Sequence, residues 1–173
     1  MNIPLQAVVG NSELSVEAVR ETLRPGALDL PVRWAHVCEL RDPSPYLLGE
    51  ELLLTAGVNL PAEQSEVDRY VRGLRAAGIT ALGFGITPPL HEELPGTLRR
   101  ACARAGLPLL VIGVRTPFIA VNRVVAVALA EATQREQRRI TQAETCLASP
   151  RASSASPPAA ALVSASRAWV IRR

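Results

Sequence analysis

Glu66-Val67-Asp68-Arg69-Tyr70-Val71-Arg72-Gly73-Leu74-Arg75-Ala76-Ala77-Gly78-Ile79-Thr80-Ala81-Leu82-Gly83-Phe84-Gly85 is the stretch that decides the fold. Its first half sets Val67, Tyr70, Val71, Leu74 and Ala77 three and four residues apart, the period of a helix with one apolar face. Gly78 ends that helix, because a residue without a Cβ enters the left-handed conformation cheaply. Ile79 to Gly85 is apolar almost throughout and reads as a buried strand. The same unit then recurs. Leu94, Leu98, Ala101, Cys102 and Ala105 mark a helix with Pro95 suited to its first turn, Gly106 stops it, and Leu107 to Ile112 is the next strand. The two stop glycines lie 28 residues apart, about one β-α unit. Strands apolar throughout, with helices between them, argue for a parallel sheet covered on both faces.

Working outward, Val32–Cys38 and Glu51–Thr55 read as two further strands, joined by a Pro-containing connection too long for a hairpin turn. The expected order is strand 32–38, strand 51–55, helix 61–77, strand 79–85, helix 95–105, strand 107–114 and a helix from 117. This predicts a small three-layer α/β domain, flavodoxin-like or doubly wound, with four or five mostly parallel strands. Residues 1–31 leave two readings open, a helix over Glu13–Leu23 or a first strand at Val16–Val19.

After Thr116-Pro117, a capping residue and a favoured first residue, helical spacing runs to Leu147. The first half of this helix carries Phe118, Val121, Val124, Val125, Ala128, Leu129 and Ala132 and can cover the sheet, whereas 133–145 is mostly polar. From Ala148 onward, Ala, Ser and Pro supply 17 of 26 residues, a composition with little to bury, so this tail is expected to be disordered. The division is therefore a domain over 1–130, an outgoing helix over 131–147 and a tail over 148–173.

Composition excludes several kinds of chemistry. All 19 basic residues are Arg; with no Lys there is no Schiff-base, pyridoxal-phosphate or Walker A lysine. Six aromatic residues leave Leu, Val, Ile and Ala to fill the core. The net charge of +3 is a property of the tail, because residues 1–149 sum to −1 and Arg151, Arg167, Arg172 and Arg173 supply the rest. Neither part resembles a basic surface for nucleic acid, so the chain is expected not to bind DNA directly. Cys38, Cys102 and Cys146 are odd in number and widely spaced, which fits a reducing cytoplasm better than a disulfide framework. The N-terminus has no signal-peptide pattern, and no apolar run is long enough to span a membrane.

Three local patterns invite a chemical reading. Gly83-Phe84-Gly85 follows a strand as a dinucleotide-binding loop does, but Pro88 and Pro89 remove amides that such a loop uses, so close packing explains the glycines better. His36 and Cys38 share one strand face without the further ligands that zinc needs, and His91-Glu92-Glu93 reads as a solvated loop. No metal site, no cofactor and no catalytic constellation is predicted, and the chain is not expected to be an enzyme. The strand ends are more suggestive, because ligands of open parallel sheets sit outside the C-terminal ends of the strands. Those ends supply Glu39, Asp42, Thr55, Gly57, Gly83, Gly85 and Thr116, a set suited to a small polar ligand. Turn chemistry and helix capping account for each of the seven singly, so both readings stand.

Val32-Arg33-Trp34-Ala35-His36-Val37, Glu39-Leu40, Gly49-Glu50-Glu51-Leu52-Leu53-Leu54-Thr55, Ala76-Ala77-Gly78, Gly83-Phe84-Gly85, Gly106-Leu107-Pro108-Leu109 and Thr116-Pro117-Phe118 occur in an order that resembles the N-terminal domain of PucR-type (purine catabolism regulator-like) transcription factors. The resemblance runs from about Val32 to Ala130. It implies a cytoplasmic regulator in which this domain senses a metabolite, ahead of a central module and a C-terminal helix-turn-helix. Ala56 stands where the family usually has a second threonine, which removes one hydroxyl. The chain ends where the central module is expected, so it reads as truncated and lacking its own DNA-binding domain. The expected role is a small-molecule sensor, with a purine-breakdown product as the ligand that the resemblance suggests. The alternatives are a small-molecule enzyme using the same crevice, or an interaction module that pairs into homo-oligomers through the helix 117–147.

Overall fold

The computed structural model describes residues 1–148. In chain order the elements are β1 (Ile3–Pro4), α1 (Gln6–Val9), β2 (Val16–Ala18), β3 (Pro31–Val32), β4 (Trp34–Val37), β5 (Glu51–Thr55), α2 (Gln64–Ala76), β6 (Ala81–Gly85), α3 (Gly96–Ala105), β7 (Leu109–Ile112) and α4 (Phe118–Ala148). Short 3-10 turns occupy Arg20–Thr22, Ala27–Asp29 and Ser44–Tyr46.

The main sheet has the order β2-β7-β6-β5-β4. β4, β5, β6 and β7 are parallel, with Leu52 opposite Ala81 and Leu82 opposite Leu109, and β2 runs antiparallel along the β7 edge. The α/β class, the mostly parallel sheet and the long last helix match expectation. The open question over residues 1–31 resolves as a strand at Val16–Ala18. Thr22 secures that edge, its hydroxyl donating to the Val19 carbonyl at 2.7 Å and accepting the Leu109 amide at 2.9 Å. The strand expected over 32–38 is divided. Val32 pairs with Ile3 in a separate two-stranded antiparallel sheet, and only Trp34–Val37 joins the main one. Val32, Ile3 and Leu5 are all buried in one core, and that burial draws Val32 away from the edge strand.

Side-chain alternation along β5 separates two cores. Leu52 and Leu54 face Leu110, Ile112, Val121 and Val125, while Leu53 faces Val67, Val71, Leu74 and Leu98. α2 and α3 cover the second of these faces. They belong to successive crossovers between strands that advance in chain order, and crossovers of one hand then fall on one side of the sheet. The opposite layer comes from the two ends of the domain, α1 and the start of α4, instead of from a crossover. Gly78 and Gly106, the expected helix stops, have φ of 82° and 63°. α4 buries Val121 and Val125, but from Thr133 to Gln142 every side chain is exposed. The Ala/Ser/Pro-rich tail lies, from residue 149, outside the described residues.

Candidate functional site

β4 leaves the sheet at Val37, and two residues later Glu39 turns its side chain toward the exit of the neighbouring strand. Its carboxylate accepts three hydrogen bonds: from the Thr55 hydroxyl at 2.9 Å, the Ala56 amide at 2.5 Å and the Val58 amide at 3.0 Å. The Asn59 side-chain amide returns a bond to the Glu39 carbonyl at 2.5 Å, and the Gly57 amide donates to the Thr55 hydroxyl at 3.0 Å. A carboxylate able to accept several bonds is what a loop with three free amides calls for. Glu39 and Thr55 therefore shape the loop that follows β5. Gly57, at φ 74°, completes it, because a Cβ there would stand 2.7 Å from the Phe84 ring and 2.9 Å from His91 Nε2.

His91 closes the other side of this loop. Its Nε2 lies 3.2 Å from the Gly57 carbonyl, so that nitrogen carries the proton and donates, and its ring meets Phe84 edge-on with centroids 5.2 Å apart. The segment expected to be a solvated loop is thus packed at His91, while Glu92 and Glu93 are exposed. The contact depends on the missing side chain of Gly57, thirty-four residues away, which no local pattern reveals.

Of the seven strand-end residues, the structure brings Glu39, Thr55 and Gly57 into direct contact and places Asp42 beside them. Gly83 and Gly85 lie on the opposite face of the sheet. A Cβ at Gly83 would meet Leu54 Cδ2 at 2.6 Å, and one at Gly85 the Phe118 ring at 2.5 Å, so both admit neighbouring side chains to the core under α4. Thr116 is also apart, its hydroxyl accepting the Ser15 amide at 3.0 Å and so tying the approach to β2 to the turn before α4.

Beside the Glu39-held loop lies a cleft of about 680 Å³. Arg41, Asp42 and Ser44 form one wall, and Val58, Asn59 and Leu60 form its end. Glu66, Arg69, Tyr70 and Gly73 form the other wall from one face of α2, where residues three, four and seven apart line up. The Asp42 carboxylate accepts the Ser44 amide at 3.1 Å and shapes the loop around it. Gly73 lets that loop approach, since a Cβ there would lie 2.9 Å from Ser44 Oγ. Burial drives the Tyr70 phenol well above its usual range, with Cys38, Glu39, Cys102 and Asp42 adding to the shift, so it stays protonated and able to donate. Burial also pushes the Cys102 thiol up to about 12, which makes it a packing residue instead of a nucleophile. Among the described residues no group of three or more His, Cys, Asp or Glu is placed to hold a metal ion, and no helix is long and apolar enough to cross a membrane.

The sequence pointed to the strand ends but missed the α2 wall. Tyr70 falls on the apolar stripe and reads as core, while Glu66 and Arg69 read as a solvated face. Their three- and four-residue spacing beside Tyr70 was the available signal.

Residues 14–129 match the model of the purine catabolism regulatory protein-like family. The chain is 38% identical over 108 residues to the transcriptional activator PmfR of Paenarthrobacter nicotinovorans, a match covering 61% of this chain and 22% of that protein. The chain thus matches about a fifth of that relative's length. No solved structure matches. With the family match spanning the five-stranded sheet, α2, α3 and the start of α4, the chain belongs to the purine catabolism regulatory protein-like family.

Proposed function

We propose that this chain is the small-molecule-sensing, regulatory domain of a cytoplasmic transcription regulator, and that its ligand occupies the cleft between the 41–44 loop and α2. The observation that carries the reading is the cleft itself, about 680 Å³ at the C-terminal edge of β4 and β5. Its end wall is a loop held at four points to Glu39. Pockets of this size at that edge suit small metabolites. A ligand touching Asn59 and Leu60 bears directly on the loop, and so on the arrangement around Glu39. The family and the activator relative support a regulatory role over an enzymatic one. The seven strand-end residues then divide in function. Asp42 contacts ligand, Glu39, Thr55 and Gly57 position the loop, and Gly83, Gly85 and Thr116 maintain packing.

A thermal-shift screen of the purified chain against purine-breakdown products tests this, with product analysis of every hit. Stabilisation without turnover, lost when Tyr70 is changed to Ala, supports the sensor. Turnover of the hit overturns it in favour of an enzyme. A second reading has its own observation: α4 is exposed on all sides from Thr133 to Gln142, as in a helix that meets another chain or domain. Concentration-dependent dimers abolished by shortening α4, with no response to any ligand, would favour an interaction module.

A further inference from the structure

The charges around the cleft describe its ligand more narrowly. Each wall carries one group of either sign, Arg41 and Asp42 on the loop and Glu66 and Arg69 on α2. Among the described residues, no ion pair joins any of the four to another or to a third residue. On the side of α2 that faces α3, by contrast, Asp68 pairs with Arg104. Asp42 spends one carboxylate oxygen on the Ser44 amide and keeps the other free. Resting on the sensing role proposed above, we infer that this cleft takes a zwitterion, a small molecule bearing a carboxylate and, at a distance, an ammonium or guanidinium group.

The alternatives fit the walls less well. A neutral ligand would cover four charges without pairing them, and a covered, unpaired charge opposes binding. A simple anion would face Asp42 and Glu66 as it approached the arginines, and a simple cation would meet the reverse. A zwitterion satisfies both signs. With its carboxylate on Arg41 or Arg69 and its cationic end on a carboxylate of the opposite wall, it bridges loop and helix. The pairing is strongest where a guanidinium holds the carboxylate in two parallel hydrogen bonds. Tyr70 on the α2 wall and Asn59 at the end of the cleft supply further polar contacts.

Calorimetric titration of the whole chain with ω-amino acids from glycine to 6-aminohexanoate tests the inference, the series acting as a ruler for the spacing of the charged groups. The matching ω-amino amides and unsubstituted carboxylates serve as controls. One chain length is expected to bind best, and either control of that length at least tenfold more weakly. Arg41→Gln, Arg69→Gln, Asp42→Asn or Glu66→Gln is each expected to weaken it about tenfold, whereas Arg75→Gln, outside the cleft, leaves it unchanged. Asp42→Asn retains an oxygen for the Ser44 amide, so its effect reads charge and not loop folding. Binding of a neutral metabolite that Tyr70→Ala abolishes, with no zwitterion bound, would overturn the inference and leave the sensing role standing. Failure of every zwitterion and every neutral metabolite to bind would overturn both.

Discussion

Glu39 concentrates more of the candidate site's organisation than any other side chain. One carboxylate accepts three bonds, from Thr55 at the end of β5 and from two amides of the loop that follows. Bonds to a charged acceptor contribute about 1.5–3 kcal/mol each, and those sharing one group do not add in full. Glu39→Ala is therefore expected to lower unfolding free energy by about 3 kcal/mol, measured by urea titration. Glu39→Gln should cost less, since an amide oxygen still accepts while its NH2 faces N–H donors. Equal losses for the two would show that the charge contributes nothing. Gly57→Ala combines a positive φ with contact against Phe84 and His91, and is expected to cost about 2 kcal/mol. Gly26 also has positive φ, but a Cβ there would have nothing within 4 Å, so Gly26→Ala should cost less and serves as the comparison.

The contact between α2 and α3 shows how two helices are tied outside the apolar core. Gln64 donates to the Asp68 carboxylate and the Thr97 carbonyl, both at 3.0 Å, and accepts Arg100 Nε at 3.0 Å, while Arg104 pairs with Asp68. Arg104 holds the Asp68 carboxyl below its ordinary pKa of 3.8. The folded pKa is thus lower than the unfolded one, so this contribution is complete above 3.8 and fades as pH falls through the folded value. Asp68→Asn should flatten that part of the stability-pH curve and leave the slope near neutrality unchanged; an unchanged acid limb would show the pair to be inert. For α4 the expectation is set by exposure. Side chains from Thr133 to Gln142 are exposed, so a chain ending at Ala132 should keep its melting temperature within about 2 °C. A larger fall would place α4 in a stabilising contact with a second copy.

For the whole molecule, charge is the relevant quantity. Residues 1–149 sum to −1, and Arg135, Arg138 and Arg139 on α4 are interleaved with Glu131 and Glu136. Phosphate contacts need several cations on one surface, and their affinity declines steeply with salt. The chain is expected to bind DNA weakly at most, without sequence preference, and not at all at physiological ionic strength. Fluorescence anisotropy against its own upstream DNA checks this; selective nanomolar binding at that salt would identify a DNA-binding element in the chain.

Much of the fold was legible in the sequence because its determinants are local. Val67, Val71 and Leu74 at helical spacing, Gly78 and Gly106 as stops, and the apolar runs after them specify a β-α unit and its repetition wherever they occur in a chain. The burial of Gly83 and Gly85 against their neighbours also followed from glycine within an apolar strand. What local pattern could not settle was the N-terminal segment, where Val16–Ala18 becomes a strand only because the β7 edge offers hydrogen bonds, and Val32, which pairs with Ile3 because both are buried together. The candidate site divided in the same way. The sequence pointed to the strand ends, but one end looks like another until the sheet is folded. Only the tertiary structure gathered Glu39, Thr55 and Gly57 around one loop, sent Gly83 and Gly85 to the far face and brought Arg69 opposite Arg41. Those relations are set by distances between segments far apart in sequence, and hydrophobic periodicity carries no information about such distances.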